Sequence, residues 1–456
     1  MKPGLVDRTP GRRPLNDSDH AILSRRAMLR GSALVGAGAA LGSLPLAGGT
    51  ALAAARVAAV DADWPTVTAL IERHVASRKV SGMIAALGWG DKAPGYIRRG
   101  REGFDDRDVA GPDSLFRAYS MTKPVTGMMA MILIDEGKLG LDQPLADFAP
   151  EFARMQVALD PAKSLESRPA TTLITVRHML THTAGFGYAV IGRNKVADEL
   201  TRLGVNPGRV SRTPVPGFIG GAPTPEADEF LRRAATVPLV AEPGTRWSYS
   251  MALDVLGIIL ARAAGAKSFE ALVTDRIFAP AGMKSSFFHV AGKDARRLTT
   301  NYALVGGVPL PIDRPATSVY RDPPPFAYGG SGLVTSPADY DRFLEMIVNK
   351  GVAGTRRVMS AAAVAMGTSN LLPDGADTAN TFIAGNRFGA GGIVGSGVNA
   401  GLYGWSGAAG TIGYAQTRLG LRSGLYVQYM PSDQIPVLRE FPAAIGKDLA
   451  ARGMGA

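Results

Sequence analysis

The 456-residue sequence contains no cysteine. That excludes a thiol nucleophile, a disulfide framework and thiolate metal sites, and it leaves the redox compartment open, since an exported protein can simply avoid cysteine. Histidine is scarce, with 5 residues in all. His178 and His182 stand four apart on an expected helix, but no glutamate sits between them in the H-E-x-x-H manner and no third ligand accompanies them. They read as structural, and no metal is expected. There is no G-x-S-x-G nucleophile elbow, which argues against a Ser-His-Asp site of the usual kind, and no G-x-x-x-x-G-K-[ST] phosphate loop. Aromatic residues make up only 7% of the chain, and no basic run is interleaved with them. A nucleic-acid partner is therefore not expected. Beyond the N-terminal region no stretch is apolar enough to span a bilayer.

What is present begins with a leader. Ser24-Arg25-Arg26-Ala27-Met28-Leu29 has the twin-arginine pattern, and no charged residue follows Arg30 until Arg56. The span between is rich in Gly, Ala and Leu and ends in Thr50-Ala51-Leu52-Ala53-Ala54-Ala55, which offers small-residue cleavage sites. So much glycine and alanine makes a poor permanent membrane helix. Residues 1–55 are expected to be a signal segment, and the protein periplasmic or secreted through the twin-arginine route, which carries folded proteins. Of the net charge of +11, the leader holds +4 and leaves +7 for residues 56–456. That charge is scattered, as on a solvated surface. With 46% hydrophobic and 20% charged residues, the chain reads as globular and is long enough for a large core.

The pattern predicts a helix over 61–78, a strand from Gly82 to Trp89, a turn at Gly90-Asp91 and a return strand from about Tyr96 to Arg98. A helix should run from about Ser120 to Glu136, where Gly137 stops it. Residues from about 140 to 325 read as mostly helical and loop-like. They include a short helix from Thr175 to His182 with Thr175 as N-cap, a long Gly- and Pro-rich loop from Gly204 to Pro225 as a candidate lid, and an apolar helix over 250–264. Ser336, Pro337 and Asp339 supply an N-cap, a Pro at N1 and an acid in the first turn of a helix reaching about Asn349. Near the C-terminus, Phe388–Val394, Ala408–Thr417 and Gly424–Tyr429 read as strands, followed by a helix over about 437–451. The expected fold is α+β: an antiparallel sheet built from both chain ends, flanked by helices, with an inserted, mainly helical subdomain at about 140–325.

The chemistry centres on Phe116-Arg117-Ala118-Tyr119-Ser120-Met121-Thr122-Lys123, which holds the only S-x-x-K of the chain. On a helix, positions i and i+3 share a face, so Lys123 would stand beside the Ser120 hydroxyl. The positive end of the helix dipole would favour an anion there. Val125, Met128 and Met129 are apolar, and a lysine held among such residues is driven toward its neutral amine, able to accept the serine proton. Met128, Met129 and Met131 themselves read as core. Taken alone the motif equally fits a serine N-cap and a snorkelling lysine. Two further motifs bear on it. Arg246-Trp247-Ser248-Tyr249-Ser250-Met251 puts Tyr249 at a loop-to-helix junction, where it could relay a proton. Gly404-Trp405-Ser406-Gly407-Ala408 enters a glycine-rich strand whose backbone can approach a substrate oxygen closely.

The order S-x-x-K, Y-S-x, W-S-G resembles the serine β-lactamase and penicillin-binding-protein superfamily in its class C branch, and within it is most similar to the family VIII carboxylesterases. The resemblance extends over about residues 60–450. It takes in Asp113–Arg117, Ile174–Gly185, Glu242-Pro243-Gly244-Thr245 and Gly329-Gly330-Ser331-Gly332-Leu333. It implies that Ser120 is acylated, that Lys123 and Tyr249 share general-base and general-acid duties, and that the backbone N–H groups of Ser120 and Ala408 form the oxyanion hole. Trp405, Ser406 and Gly407 would line the substrate along an edge strand. No cofactor is implied. Met251 stands where penicillin-recognising relatives usually carry asparagine, and Trp405 where they carry the lysine of K-T-G. Both replacements exchange a polar anchor for apolar contact. They favour a neutral small-molecule ester over a β-lactam or peptide. The rival readings are a β-lactamase or D,D-peptidase, an acyltransferase, and a non-catalytic binding protein on the same fold. The sequence fixes no oligomeric state.

Overall fold

A computed structural model describes residues 59–213, 215 and 221–454. The expected signal segment, 1–55, lies outside them, as does part of the 204–225 loop. From the N-terminal side come helix α1 (Pro65–Ala76) and the hairpin of β1 (Gly82–Trp89) and β2 (Gly95–Gly100). Helices α2 (Thr122–Asp135), α3 (Val176–Leu180), α4 (Ala252–Ala264) and α5 (Pro337–Val348) follow. The C-terminal side supplies β3 (Arg387–Phe388), β4 (Ile393–Val394), β5 (Leu402–Ser406), β6 (Ile412–Gln416) and β7 (Leu421–Tyr426), then helix α6 (Val437–Ala451).

These strands form one sheet in the order β3-β4-β5-β6-β7-β1-β2, each pair antiparallel. N- and C-terminal parts of the chain therefore meet within it, where Ile84 pairs with Tyr426 and Trp89 with Leu421. The near-continuous apolar run of β1 follows from burial on both faces. Met83, Ala85 and Leu87 pack with α1 and α6, whereas Ile84 and Ala86 face the larger core that contains α2 and α5. Asp448 of α6 accepts the Thr66 and Val67 backbone N–H groups at 2.9 and 3.1 Å, capping α1 from the opposite end of the sequence.

Helix α2 is buried on every side over Thr122–Leu133, as the apolar run from Val125 to Leu133 requires. Gly127 is needed there because a Cβ would lie 1.9 Å from the Ala390 carbonyl oxygen. That close approach also explains why the strand expected over 388–394 is two short strands. Gly391, at φ +70°, turns the chain against α2, with no room for a side chain beside the Lys123 carbonyl. The strand expected from Ala408 begins only at Ile412, because Ala408 and Gly410 form the preceding turn and Gly410 has φ +85°. β5, which contains Trp405, is itself a strand. β7 starts earlier than expected, at Leu421. It accommodates Arg422 in the core because the guanidinium makes two 2.9 Å bonds to the buried Asp341 carboxylate. Within the stretch expected to be mainly helical, Asn301–Val305 and Val308–Asp313 form a hairpin that pairs in parallel with Tyr429–Met430. Among the described residues no helix is long and apolar enough to cross a membrane.

Candidate active site

Ser120 sits in a 3-10 turn, Tyr119–Met121, that leads into α2, one turn earlier than a place within the helix proper. Several contacts fix this turn. The preceding short strand is held by Arg117, whose Nε donates to Asp313 at 2.8 Å and whose Nη1 donates to the Thr299 carbonyl at 2.6 Å, all within the core. The Ala118 N–H donates to the Leu333 carbonyl at 2.9 Å. Tyr119 then adopts φ +45°, a left-handed conformation that costs a bulky residue about 1–3 kcal/mol. Packing of its ring against Ala409 and Met430 and a 3.1 Å bond from Asn301 Nδ2 hold it there.

Lys123 is fully buried. Its Nζ donates to Ser120 Oγ at 3.2 Å and to the Gly330 carbonyl at 2.7 Å, and lies 4.6 Å over the Tyr249 ring. The Tyr249 hydroxyl donates to Ser120 Oγ at 2.6 Å and accepts the Trp405 indole N–H at 3.2 Å. The three residues expected to share catalysis thus converge on one oxygen. Behind Gly330 lies a residue not anticipated from sequence, Asp254 of α4. Its Oδ1 accepts the Gly330 N–H at 2.8 Å, and its Oδ2 is buried without a partner. Burial pushes this carboxyl up to about 7, against a partial pull downward from the Lys123 charge. An acid inside the apolar 250–264 helix, five residues after Tyr249, was the available signal.

The histidines do not act as a pair. α3 ends at Leu180, and His182, at φ +56°, lies beyond it. His178 closes a capping box in which its Nδ1 accepts the Thr175 N–H at 3.2 Å. His182 accepts the Ser250 N–H on Nδ1 at 3.2 Å, and its ring centroid lies 4.7 Å from that of Tyr249. Burial, aided by the Lys123 charge, pushes His182 well below the ordinary histidine range, so it is a neutral support for the tyrosine segment. No metal-ligating cluster occurs among the described residues.

The remaining expected site residues divide. Trp405 is only 8% exposed and stacks on Tyr249 at 5.8 Å between centroids. β4 pairs only with Tyr403 and Gly404, so from Trp405 onward β5 has a free margin beside the nucleophile. Gly407 is packed under the Ala118 carbonyl, 2.3 Å from where a Cβ would stand, and its N–H donates to the Thr411 carbonyl at 2.8 Å. This brings the half-buried Ala408 turn against the nucleophile turn. Neither the Ser120 nor the Ala408 N–H donates to an acceptor among the described residues. Ser406 is half-buried. Met251, expected to contact substrate, is wholly buried at the start of α4, where it belongs to the core behind the site. Phe382, to which the sequence drew no attention, is 67% exposed yet its ring lies 6.0 Å from that of Tyr249.

The fold and this cluster are of the β-lactamase/transpeptidase type. The Beta-lactamase family model matches residues 67–439, and the chain belongs to that family. Protein Rv1367c of Mycobacterium tuberculosis is 35% identical over 278 residues, which cover 60% of this chain and 64% of that protein, so the match spans a little under two thirds of its length. Esterase EstB of Burkholderia gladioli is 32% identical over 298 residues, covering 61% of this chain and 68% of EstB. Among solved structures, EstCE1, described as a hydrolase with promiscuous acyltransferase activity, superposes with a TM-score of 0.66 at 21% identity, over 86% of this chain and 99% of EstCE1.

Proposed function

We propose that the chain is a carboxylesterase working through an acyl-enzyme. The observation that carries this reading is the double contact on Ser120 Oγ, 3.2 Å from the buried Lys123 amine and 2.6 Å from the Tyr249 hydroxyl. Ser120 Oγ attacks the ester carbonyl carbon while its proton passes to Lys123. The Ser120 and Ala408 N–H groups receive the developing oxyanion. Tyr249, reprotonated through Lys123, gives a proton to the leaving alkoxide as the C–O bond breaks. Water then attacks the acyl carbon as its proton passes to Tyr249 and Lys123, the bond from the acyl carbon to Ser120 Oγ breaks, and that proton returns to Oγ.

Trp405 supports an ester over a β-lactam. Its N–H is spent on Tyr249, and it is neutral, so the position usually held by the K-T-G lysine offers no cation to a substrate carboxylate. EstB, an esterase by name, supports the same reading. The test is hydrolysis of p-nitrophenyl butyrate and nitrocefin by residues 56–456 and by the Ser120→Ala variant. Strong ester turnover, weak nitrocefin turnover and loss of both in the variant are expected. Efficient nitrocefin turnover would overturn the substrate argument, and ester turnover surviving in the variant would overturn the mechanism. Transfer to an alcohol in place of water is the second reading, favoured by the description of EstCE1, and product analysis with added 1-butanol measures it. The twin-arginine motif extends the proposal to an exported enzyme. Retention in the cytoplasm of a variant with lysines at Arg25 and Arg26 is the expected result.

A further inference from the structure

Most of the ring cluster around Tyr249 is core. His182, Trp247, Phe388 and Trp405 are all buried. Phe382 alone breaks the pattern, with 67% of its surface exposed while its ring stands edge-on to Tyr249 at 6.0 Å and to Trp247 at 6.1 Å. A free-swinging surface phenylalanine would not be held this way. The Trp247 N–H donates to the Asp377 carbonyl at 2.8 Å, and the Asp377 N–H donates to the Thr245 carbonyl at 2.9 Å. These backbone bonds, with the isolated bridge between Arg246 and Asp377, strap the 377–386 segment onto the stretch that leads directly to Tyr249. Ile383, the next residue, is fully buried and anchors the segment from inside. The Asn386 N–H closes back on the Ile383 carbonyl at 2.8 Å. A large apolar surface is thus built in, open to solvent, one ring away from the hydroxyl that touches the nucleophile.

We infer that Phe382 is a specificity-determining residue that receives an aromatic group on the alcohol side of the ester, so that the preferred substrates are esters of aryl-bearing alcohols. The assignment rests on the esterase reading above. In that reading Tyr249 protonates the leaving oxygen, so the substituent on that oxygen extends past the Tyr249 ring toward Phe382, whereas the acyl carbon stays on Ser120. A planar ring in that place gains offset or edge contacts with Phe382 and Tyr249, as the protein's own rings do with one another. A short aliphatic alcohol ends before reaching Phe382.

The test compares kcat/KM for benzyl acetate, cyclohexylmethyl acetate, ethyl acetate and ethyl phenylacetate in the wild type, Phe382→Ala and Phe382→Leu. The benzyl-to-ethyl acetate ratio should fall about tenfold in Phe382→Ala, the size of one aromatic pair plus part of its buried area. The cyclohexylmethyl-to-ethyl acetate ratio should fall less, and Phe382→Leu should lie between. Because the side chain is mostly exposed, unchanged thermal melting should accompany these shifts. A benzyl-to-ethyl ratio that does not move overturns the inference while wild-type turnover of ethyl acetate leaves the esterase reading standing. A shift confined to ethyl phenylacetate overturns the alcohol-side assignment. A wild type that hydrolyses none of the four overturns the esterase reading and this inference with it.

Discussion

Replacing Tyr249 with phenylalanine removes one oxygen and two hydrogen bonds, the 2.6 Å bond to Ser120 Oγ and the 3.2 Å bond from the Trp405 indole. The ring itself, with its neighbours His182 and Trp405, stays. Two separable effects follow. Trp405 is 8% exposed, so its N–H is left buried without an acceptor, which should cost about 1–3 kcal/mol of stability. The leaving alkoxide also loses its proton donor, which should lower kcat about 10²–10⁴-fold. A Trp405→Phe background isolates the first effect, because it contains no indole N–H to strand. There, Tyr249→Phe should cost little stability, so urea unfolding of the four proteins should give a coupling of about 1 kcal/mol or more. Turnover of ethyl butyrate, whose ethoxide needs a proton in order to leave, should stay low whenever Tyr249 is absent. Additive unfolding free energies would refute the proposed role of the indole bond, and retention of more than about a tenth of wild-type kcat would refute the proton relay.

Asp254→Asn tests the buried carboxyl. In the folded chain this group titrates near 7 and in the unfolded chain near 3.8, so the folded state holds the extra proton between those values and loses stability as pH rises through them. The variant cannot ionise, so its unfolding free energy relative to wild type should improve from pH 4.5 to pH 8 by at most about 3 kcal/mol; a pH-independent difference measured by urea titration would contradict this. Gly407→Ala should push the Ala408 turn away from Ser120, since its Cβ would stand 2.3 Å from the Ala118 carbonyl, and kcat should fall about 10²-fold with little change in KM. Asp313→Ala leaves the Arg117 guanidinium uncompensated in the core beneath the nucleophile turn. It should cost about 3–5 kcal/mol in thermal or urea unfolding.

Much of this was legible from residues alone where a local rule and the tertiary structure agree. β1 occupies its expected span because an apolar run closed by Gly90-Asp91 has few alternatives. Ser336 caps α5 through the Asp339 N–H at 3.1 Å, as the Ser-Pro-x-Asp spacing implies. Ser120, Lys123 and Tyr249 lie together because their motifs belong to one site. The misses have a common origin in distant partners. β7 begins before its expected start because Asp341, 81 positions away, neutralises Arg422. The turn at Gly389–Gly392 exists to fit α2, which no window around residue 390 contains. Met251 was expected at the substrate because it stands where relatives carry asparagine, and the structure buries it at the start of α4. Phe382 carried no local signal, since a lone phenylalanine in a polar stretch acquires meaning only from the rings across from it.

The meeting of N- and C-terminal parts of the chain within the sheet sets an order of events during synthesis. β1 emerges early from the ribosome but cannot find its neighbour β7 until more than three hundred further residues have been made, and α1 lacks its Asp448 cap until almost the last of them. Loop-closure entropy delays such pairings, and the exposed strand edges wait with them. Folding is thus a step taken by a finished chain. The twin-arginine route proposed above carries folded proteins, so under that proposal export would follow the completion of this pairing.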